Sequence, residues 1–114
     1  MRFATYRSML MLIGLTVLGS LAIGSLGHAA PPTAPQFLMK DFMFTPMSVT
    51  VKAGDTVIWA NKDDEPHTVV SDNGLFRSAA LDTDETFSFK FDKPGTYHFT
   101  CSIHPRMVGT IVVE

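Results

Sequence analysis

From Gln36 onward the chain consists of short runs in which apolar and polar residues alternate. The clearest run is Thr86-Phe87-Ser88-Phe89-Lys90-Phe91, which places three phenylalanines on one face. A period of two residues indicates a half-buried β-strand. Further runs that alternate or are rich in β-branched residues span 47–51, 55–60, 96–101 and 109–113. No part of this region has a sustained helical period, so the pattern predicts an all-β domain.

Turn residues separate these runs and indicate how the strands are arranged. The separators are Ala53-Gly54-Asp55, Asp72-Asn73-Gly74 and Asp92-Lys93-Pro94-Gly95. Short strands at regular spacing, without a strong helix, are typical of an antiparallel β-sandwich. We therefore expect a sandwich of about seven to eight strands. Its core should include three methionines: Met39, Met43 and Met47.

The first thirty residues differ in composition from the rest of the chain. Arg2 and Arg7 give a basic start, and an uncharged, mainly apolar run follows from Ser8 to Gly27. Small residues at Gly27 and Ala29 then suit a signal peptidase, so residues 1–29 are predicted to be a secretory signal. The alternative is an uncleaved membrane anchor, because about 20 apolar residues suffice to cross a bilayer.

Removal of the leader would leave one small domain of about 85 residues. Residues 30–35 are a proline-rich linker, and residues 36–114 form the predicted domain. Seven Lys and Arg then oppose eleven Asp and Glu, a formal charge of −4. A nucleic-acid-binding domain would instead carry a basic patch. Small exported domains commonly rely on disulfides, but this chain has only one cysteine.

That cysteine, Cys101, begins a segment with closely spaced metal donors. His104 and Met107 follow it in a C-x2-H-x2-M spacing, and His67 lies upstream after Pro66. One thiolate, two imidazoles and a thioether are the donors of a blue-copper electron-transfer site. Taken singly, Cys101 could be a small buried hydrophobe, His67 a surface residue and Met107 a core residue. Their combination favours metal binding.

Strand parity separates the other histidines from this group. His98 alternates with Cys101 on the run 96–101, so it is expected to face outward. His28 lies in the predicted leader. The acidic run Asp63-Asp64-Glu65 is expected to be a solvated turn, and Pro66, Phe76, Pro105 and Met107 are expected to form an apolar rim beside His104.

The segment from Gly95 to Cys101, the C-terminal Val112-Val113-Glu114 and the upstream Pro66-His67 resemble the cupredoxins. The short C-x2-H-x2-M loop is most similar to that of the amicyanin subgroup, since plastocyanins and pseudoazurins have longer loops. The resemblance covers residues 36–114. It implies a Greek-key β-sandwich and one type 1 copper bound by His67, Cys101, His104 and Met107.

The resemblance also implies a biological role. It indicates a monomeric one-electron carrier in the bacterial periplasm that cycles between Cu(II) and Cu(I). The transient redox partners would be a donor such as an amine dehydrogenase and an acceptor such as a cytochrome c. One position departs from the family pattern, because Thr68 stands where an asparagine commonly follows the first histidine ligand. A hydroxyl can replace some of the asparagine's hydrogen bonds but has no amide donor pair.

Two other functional classes remain to be compared with electron transfer. A copper-delivery or storage protein could use the same donors to hold Cu(I) and release it to a partner. An enzyme is disfavoured, because four protein ligands leave no open position for a substrate, and the sequence has no catalytic triad or carboxylate pair. Zinc shares the nitrogen and sulfur donors, but the thioether favours copper.

Overall fold

A computed structural model describes residues 34–114 together with the isolated Gly19. The predicted leader therefore lies outside the described residues, except for that one glycine. The described part contains eight β-strands: β1 (Phe37–Lys40), β2 (Met43–Thr45), β3 (Ser48–Val51), β4 (Thr56–Asn61), β5 (Val70–Ser71), β6 (Thr86–Lys90), β7 (Gly95–Thr100) and β8 (Val108–Val113). Within it, no helix is long and apolar enough to cross a membrane.

The strands form two four-stranded sheets, which confirms the predicted β-sandwich. One sheet has the order β2-β1-β4-β6 and the other β3-β8-β7-β5. Both sheets are mixed, because β1 pairs with β4 and β3 pairs with β8 in parallel, whereas the other pairings are antiparallel. Alternation along a strand determines which residues face the core but not which strand lies beside it. The parallel pairs therefore have no signature in the sequence.

An aromatic core fills the space between the two sheets. The only tryptophan, Trp59, is fully buried and stacks on Phe37 with ring centroids 5.6 Å apart. Phe99 meets Trp59 edge to face at 5.4 Å. Phe87 and Phe91 from the alternating run also pack near Trp59. The predicted inward face of that run is confirmed, and such aromatic pairs add to the stabilisation from burial.

Two of the three methionines expected in the core lie on the surface. Met39 is completely buried on β1, but Met43 and Met47 are 50% and 54% exposed. Met43 is on the short strand β2, whose inward residue is Phe44, so parity turns Met43 outward. Met47 lies before β3, outside any strand. The expectation of a buried position is therefore wrong for both residues.

Candidate metal centre

Cys101, His104 and Met107 lie on the connection between β7 and β8, the most extensively paired neighbours in their sheet. Two backbone hydrogen bonds close this connection: the Met107 N–H donates to the His104 carbonyl at 2.9 Å, and the Cys101 N–H donates to the Met107 carbonyl at 3.1 Å. Cys101 and Met107 are 0% and 2% exposed. The loop therefore holds its sulfur-bearing residues at fixed, buried positions.

His67 comes from a different part of the chain, between β4 and β5. The His67 N–H donates to the Leu81 carbonyl at 3.1 Å, and the Leu81 N–H donates to the His67 carbonyl at 2.7 Å. The buried Asn61 side chain donates to the carbonyls of Leu81 and Glu65 at 2.8 and 2.7 Å. These bonds hold the segment that carries His67 against the end of the sandwich, beside the β7–β8 loop.

Three predicted donor atoms converge at this end of the molecule. The Nδ1 atoms of His67 and His104 are 3.1 Å apart, and the Cys101 Sγ lies 3.9 Å from the first and 3.8 Å from the second. These three residues form the one cluster of potential metal-binding His, Cys, Asp and Glu side chains found among the described residues. Bonds from a first-row metal to nitrogen and sulfur are about 2.0–2.3 Å long. Donors 3–4 Å apart therefore suit a single shared ion.

Asp63 determines which nitrogen of His67 faces the other donors. The carboxylate Oδ2 lies 2.7 Å from His67 Nε2. A carboxylate can only accept, so Nε2 carries the hydrogen and Nδ1 presents its lone pair towards Cys101 and His104. The expectation that Asp63 is a solvated residue is wrong, since it is 7% exposed. Its neighbours Asp64 and Glu65 are exposed as expected.

The same carboxylate also binds the turn between β1 and β2. It accepts hydrogen bonds from the N–H groups of Asp41 and Phe42 at 2.7 and 3.0 Å. Both of these residues have positive φ, 53° and 57°, a conformation that non-glycine residues adopt uncommonly. Burial raises the pKa of Asp63, but the hydrogen bonds from Phe42, His67 and Asp41 outweigh it and hold the pKa below the usual 3.8.

This arrangement predicts that Asp63 contributes to stability in a pH-dependent way. Asp63→Asn should lower the free energy of unfolding of the metal-free protein by about 2 kcal/mol at neutral pH, because charge-assisted hydrogen bonds are lost. A depressed pKa gives stability that is complete above the unfolded value of about 4. The difference from wild type should therefore shrink as pH falls below about 4 and vanish beneath the folded pKa.

Urea unfolding followed by Trp59 fluorescence would measure this difference at several pH values. Asp64→Asn is the matched control, because it removes the same charge from the adjacent exposed residue. Equal midpoints for the two variants at neutral pH would contradict the role given to Asp63.

Thr68 ties the two ligand-bearing segments together. Its N–H donates to the Cys101 Sγ at 3.3 Å, and its Oγ1 lies 3.7 Å from the same sulfur. The Oγ1 also accepts from the Ser102 N–H at 2.8 Å and lies 2.8 Å from the Ser102 Oγ. Burial raises the pKa of the Cys101 thiol, but N–H groups of Thr68, Ile103 and His104 donate towards it and bring the pKa below 9.0.

His104 is the donor that approaches the surface. Its side chain is 26% exposed, whereas His67 is fully buried. The ring of Phe42 packs edge to face against both imidazoles, with centroids 5.5 Å from His67 and 4.9 Å from His104. Glu65 Oε2 lies 3.8 Å from His104 Nε2. The site is therefore enclosed except at the His104 edge.

The structure places the remaining sequence candidates as follows. His98 is exposed on β7 and its Nδ1 lies 3.0 Å from Thr110 Oγ1, so it is separate from the cluster, as parity predicted. The expected rim position of Phe76 is wrong, because its ring is buried and tilted against Trp59 at 5.6 Å. Met107 is 2% exposed but lines the groove beside His104 and Pro105, while Pro66 and Pro105 are exposed.

Sequence reasoning missed Asp63, Phe42 and Ser102 as neighbours of the donors. Asp63 precedes His67 by four residues, but a polar turn offers no sign of which acid is buried. Phe42 reaches the site from a turn distant in sequence. Ser102 directly follows Cys101, and its proximity to Thr68 depends on how the two segments meet.

Comparison with known proteins gives consistent matches. A family model described as a Cupredoxin-like domain matches residues 10–113. Amicyanin-alpha of Methylorubrum extorquens is 33% identical over 110 residues, which cover 90% of this chain and 92% of the relative. Plastocyanin of Scenedesmus fuscus is 40% identical over 85 residues, covering 63% of this chain and 87% of the relative.

The fold is similar to that of a solved amicyanin. The crystal structure of amicyanin from Paracoccus versutus superposes with a TM-score of 0.68 at 31% identity, covering 75% of this chain and 86% of that one. In sequence, the match spans only about half the length of the Paracoccus amicyanins. Both kinds of comparison thus extend over the eight-stranded domain that carries the donor cluster.

Proposed function

This chain belongs to the cupredoxin-like domain family, whose cofactor is copper, and on that premise we propose that it is a periplasmic one-electron carrier. The observation that carries the proposal is the convergence of two imidazole nitrogens and a thiolate sulfur within 4.8 Å at one end of the sandwich. His67, Cys101, His104 and Met107 would hold the copper. Bound there, copper supplies a Cu(II)/Cu(I) couple suited to electron transfer.

The surroundings of the donors suit a carrier in three ways. The hydrogen bond that His67 donates to Asp63 and the one that Cys101 accepts from Thr68 fix both ligand side chains in place, so their positions change little when charge changes at the site. Burial of Cys101, His67 and Met107 keeps water away from three of the four donors. His104 alone offers an edge through which an electron can pass to a docked partner.

Location and partners form part of the same proposal. The basic and apolar N-terminus favours export, with residues 1–29 removed and residues 36–114 forming the working domain. We expect a monomer that meets its partners transiently, and such encounters use interfaces below about 1,200 Å². An amine dehydrogenase as donor and a cytochrome c as acceptor follow from the similarity to amicyanins.

Copper titration of the purified domain tests the proposal. We expect an intense blue absorption at one Cu(II) per chain, which disappears on reduction and returns on reoxidation. Copper delivery predicts a different outcome, because a donor protein would lose Cu(I) to a metal-free acceptor. Retention of copper over repeated redox cycles in the presence of a Cu(I) chelator supports the carrier. A colourless Cu(II) complex of the folded domain would contradict it.

A further inference from the structure

Two exposed methionines and a buried one line a single groove on the side of the sandwich. Met43 and Met47 are 50% and 54% exposed, the highest values among the exposed large hydrophobic residues of the range 34–114. Met107, a proposed copper ligand, is 2% exposed and lines the same groove. Apolar side chains stabilise a fold by being removed from water, so core packing does not account for Met43 and Met47.

Backbone pairing places Met47 beside the ligand loop. Strands β3 and β8 are parallel, with Ser48 opposite Thr110, and the Met47 carbonyl accepts from the Thr110 N–H at 2.9 Å. Met47 therefore lies across from Gly109, two residues along the chain from Met107. With a rise of about 3.3 Å per residue and about 4.8 Å between strands, the Cα atoms of Met47 and Met107 are roughly 8 Å apart. Methionine is unbranched and has three rotatable bonds, so two thioethers at this separation can reach a shared ion.

Sulfur is the only metal donor among the side chains of this groove. The other lining residues are Phe44, Val108 and Arg106. The first two have no donor atom, and a guanidinium has no lone pair to offer. Thioethers select Cu(I), whereas Cu(II) favours nitrogen and oxygen donors. The charge of Arg106 also opposes a divalent cation about twice as strongly as a monovalent one at the same distance. The groove therefore suits Cu(I) and disfavours Cu(II).

Met107 connects this groove to the proposed copper centre. It lines both this groove and the one beside His104 and Pro105, so it belongs to the wall between them. An ion held by Met43 and Met47 thus has a third thioether next to it, and that thioether is part of the final site. Exchange of Cu(I) from one thioether to another changes neither its oxidation state nor its kind of donor.

We propose that Met43 and Met47 form an entry site for Cu(I), from which the ion passes through Met107 to the other proposed ligands. This inference rests on the proposed carrier function and adds how the centre acquires its metal. During the transfer, the bonds from copper to Met43 and Met47 break as bonds to Met107 and the remaining donors form. The copper stays Cu(I) throughout, and the Cys101 thiol releases its proton to water as it binds.

Transfer of Cu(I) from its coloured bicinchoninate complex to the metal-free domain tests the entry site. Met43→Leu/Met47→Leu removes both thioethers but keeps the apolar volume. The second-order rate constant, followed by loss of the colour of the complex, should fall about tenfold, the lower end of what loss of an outer-shell group costs a metal site. The copper content at equilibrium and the blue absorption after oxidation should equal those of wild type, because the four proposed ligands remain.

Two controls separate the thioethers from the shape of the groove. Val108→Ala removes apolar bulk from the same groove but no sulfur, so Cu(I) uptake should stay within about twofold of wild type. Uptake of Cu(II) by Met43→Leu/Met47→Leu should likewise stay within about twofold of wild type, because Cu(II) does not favour thioether donors. Equal slowing of Cu(I) and Cu(II) uptake would assign the effect to the shape of the groove and overturn the role of the thioethers.

Methionine methyl signals test the entry site without any transfer. When a second equivalent of Cu(I) is added to the Cu(I)-loaded domain, the methyl signals of Met43 and Met47 should shift, whereas that of the buried Met39 should not. Absence of these shifts, or unchanged Cu(I) uptake by the double variant, would overturn the entry site alone, provided that wild type turns blue with Cu(II). Wild type that stays colourless with Cu(II) would instead overturn the carrier function.

Discussion

A Cys101→Ser variant is expected to fold normally and to give no intense blue absorption with Cu(II). The colour of such sites comes from bonding between copper and a cysteine thiolate, and Cys101 is the only cysteine of the chain. Serine is nearly the same size, so the buried site should remain filled. Loss of an outer-sphere partner typically weakens metal binding about 10–100-fold, and loss of the thiolate itself should weaken copper binding by at least about 100-fold.

Visible absorption and copper titration would measure this effect, with Trp59 fluorescence as the check on folding. His104→Gln should also change this spectrum, because it removes one of the proposed donors. His98→Gln is its matched control. His98 bonds to Thr110 away from the donors, so its loss should leave the spectrum intact, whereas loss of His104 should not. An intense blue colour in Cys101→Ser would show that copper binds elsewhere and would refute the proposed centre.

Gly109→Ala is expected to destabilise the domain by about 3 kcal/mol or more, the upper end of what overpacking of a core costs. A Cβ at position 109 would lie 2.3 Å from Cζ and 2.6 Å from Cε2 of Phe99. The Phe99 ring has little room to move, because it meets Phe37, Phe44 and Trp59 at centroid distances of 5.1, 4.8 and 5.4 Å. In a domain of this size such a loss lowers the melting temperature by roughly 12 °C or more.

Thermal unfolding of the metal-free variant would check this value. Phe99 and Gly109 face each other across β7 and β8, so the clash should also displace the ligand loop and weaken copper binding. A Gly109→Ala/Phe99→Leu double variant should regain part of the stability that the two single changes lose, because the smaller side chain relieves the contact. Wild-type stability of Gly109→Ala would contradict the close packing.

The alternating pattern predicted the faces of the strands well and their neighbours poorly. Along the run 96–101, parity placed Cys101 inward and His98 outward, and both predictions are confirmed. The same reasoning could not identify β2, which has three residues, or β5, which has two. Such strands are too short to show a period, and their pairing depends on residues far along the chain.

The residues around the donors, too, could be predicted from the sequence only in part. The sequence indicated that Thr68 could replace only part of the expected asparagine. Its N–H and hydroxyl now lie 3.3 and 3.7 Å from the Cys101 sulfur, and the hydroxyl reaches Ser102 as well. Asp63 was missed because its burial depends on the turn at Asp41 and Phe42, which only the folded sheet brings beside it.

The placement of the ligand loop between β7 and β8 has a consequence for the order of synthesis. Three of the four proposed donors follow β7. Seven of the eight strands are therefore synthesised before Cys101, the second donor in chain order. A chain interrupted before Cys101 holds His67 alone and lacks β8, the strand that joins β3 to β7. The complete set of proposed donors therefore exists only in chains translated past Met107, where β8 follows directly.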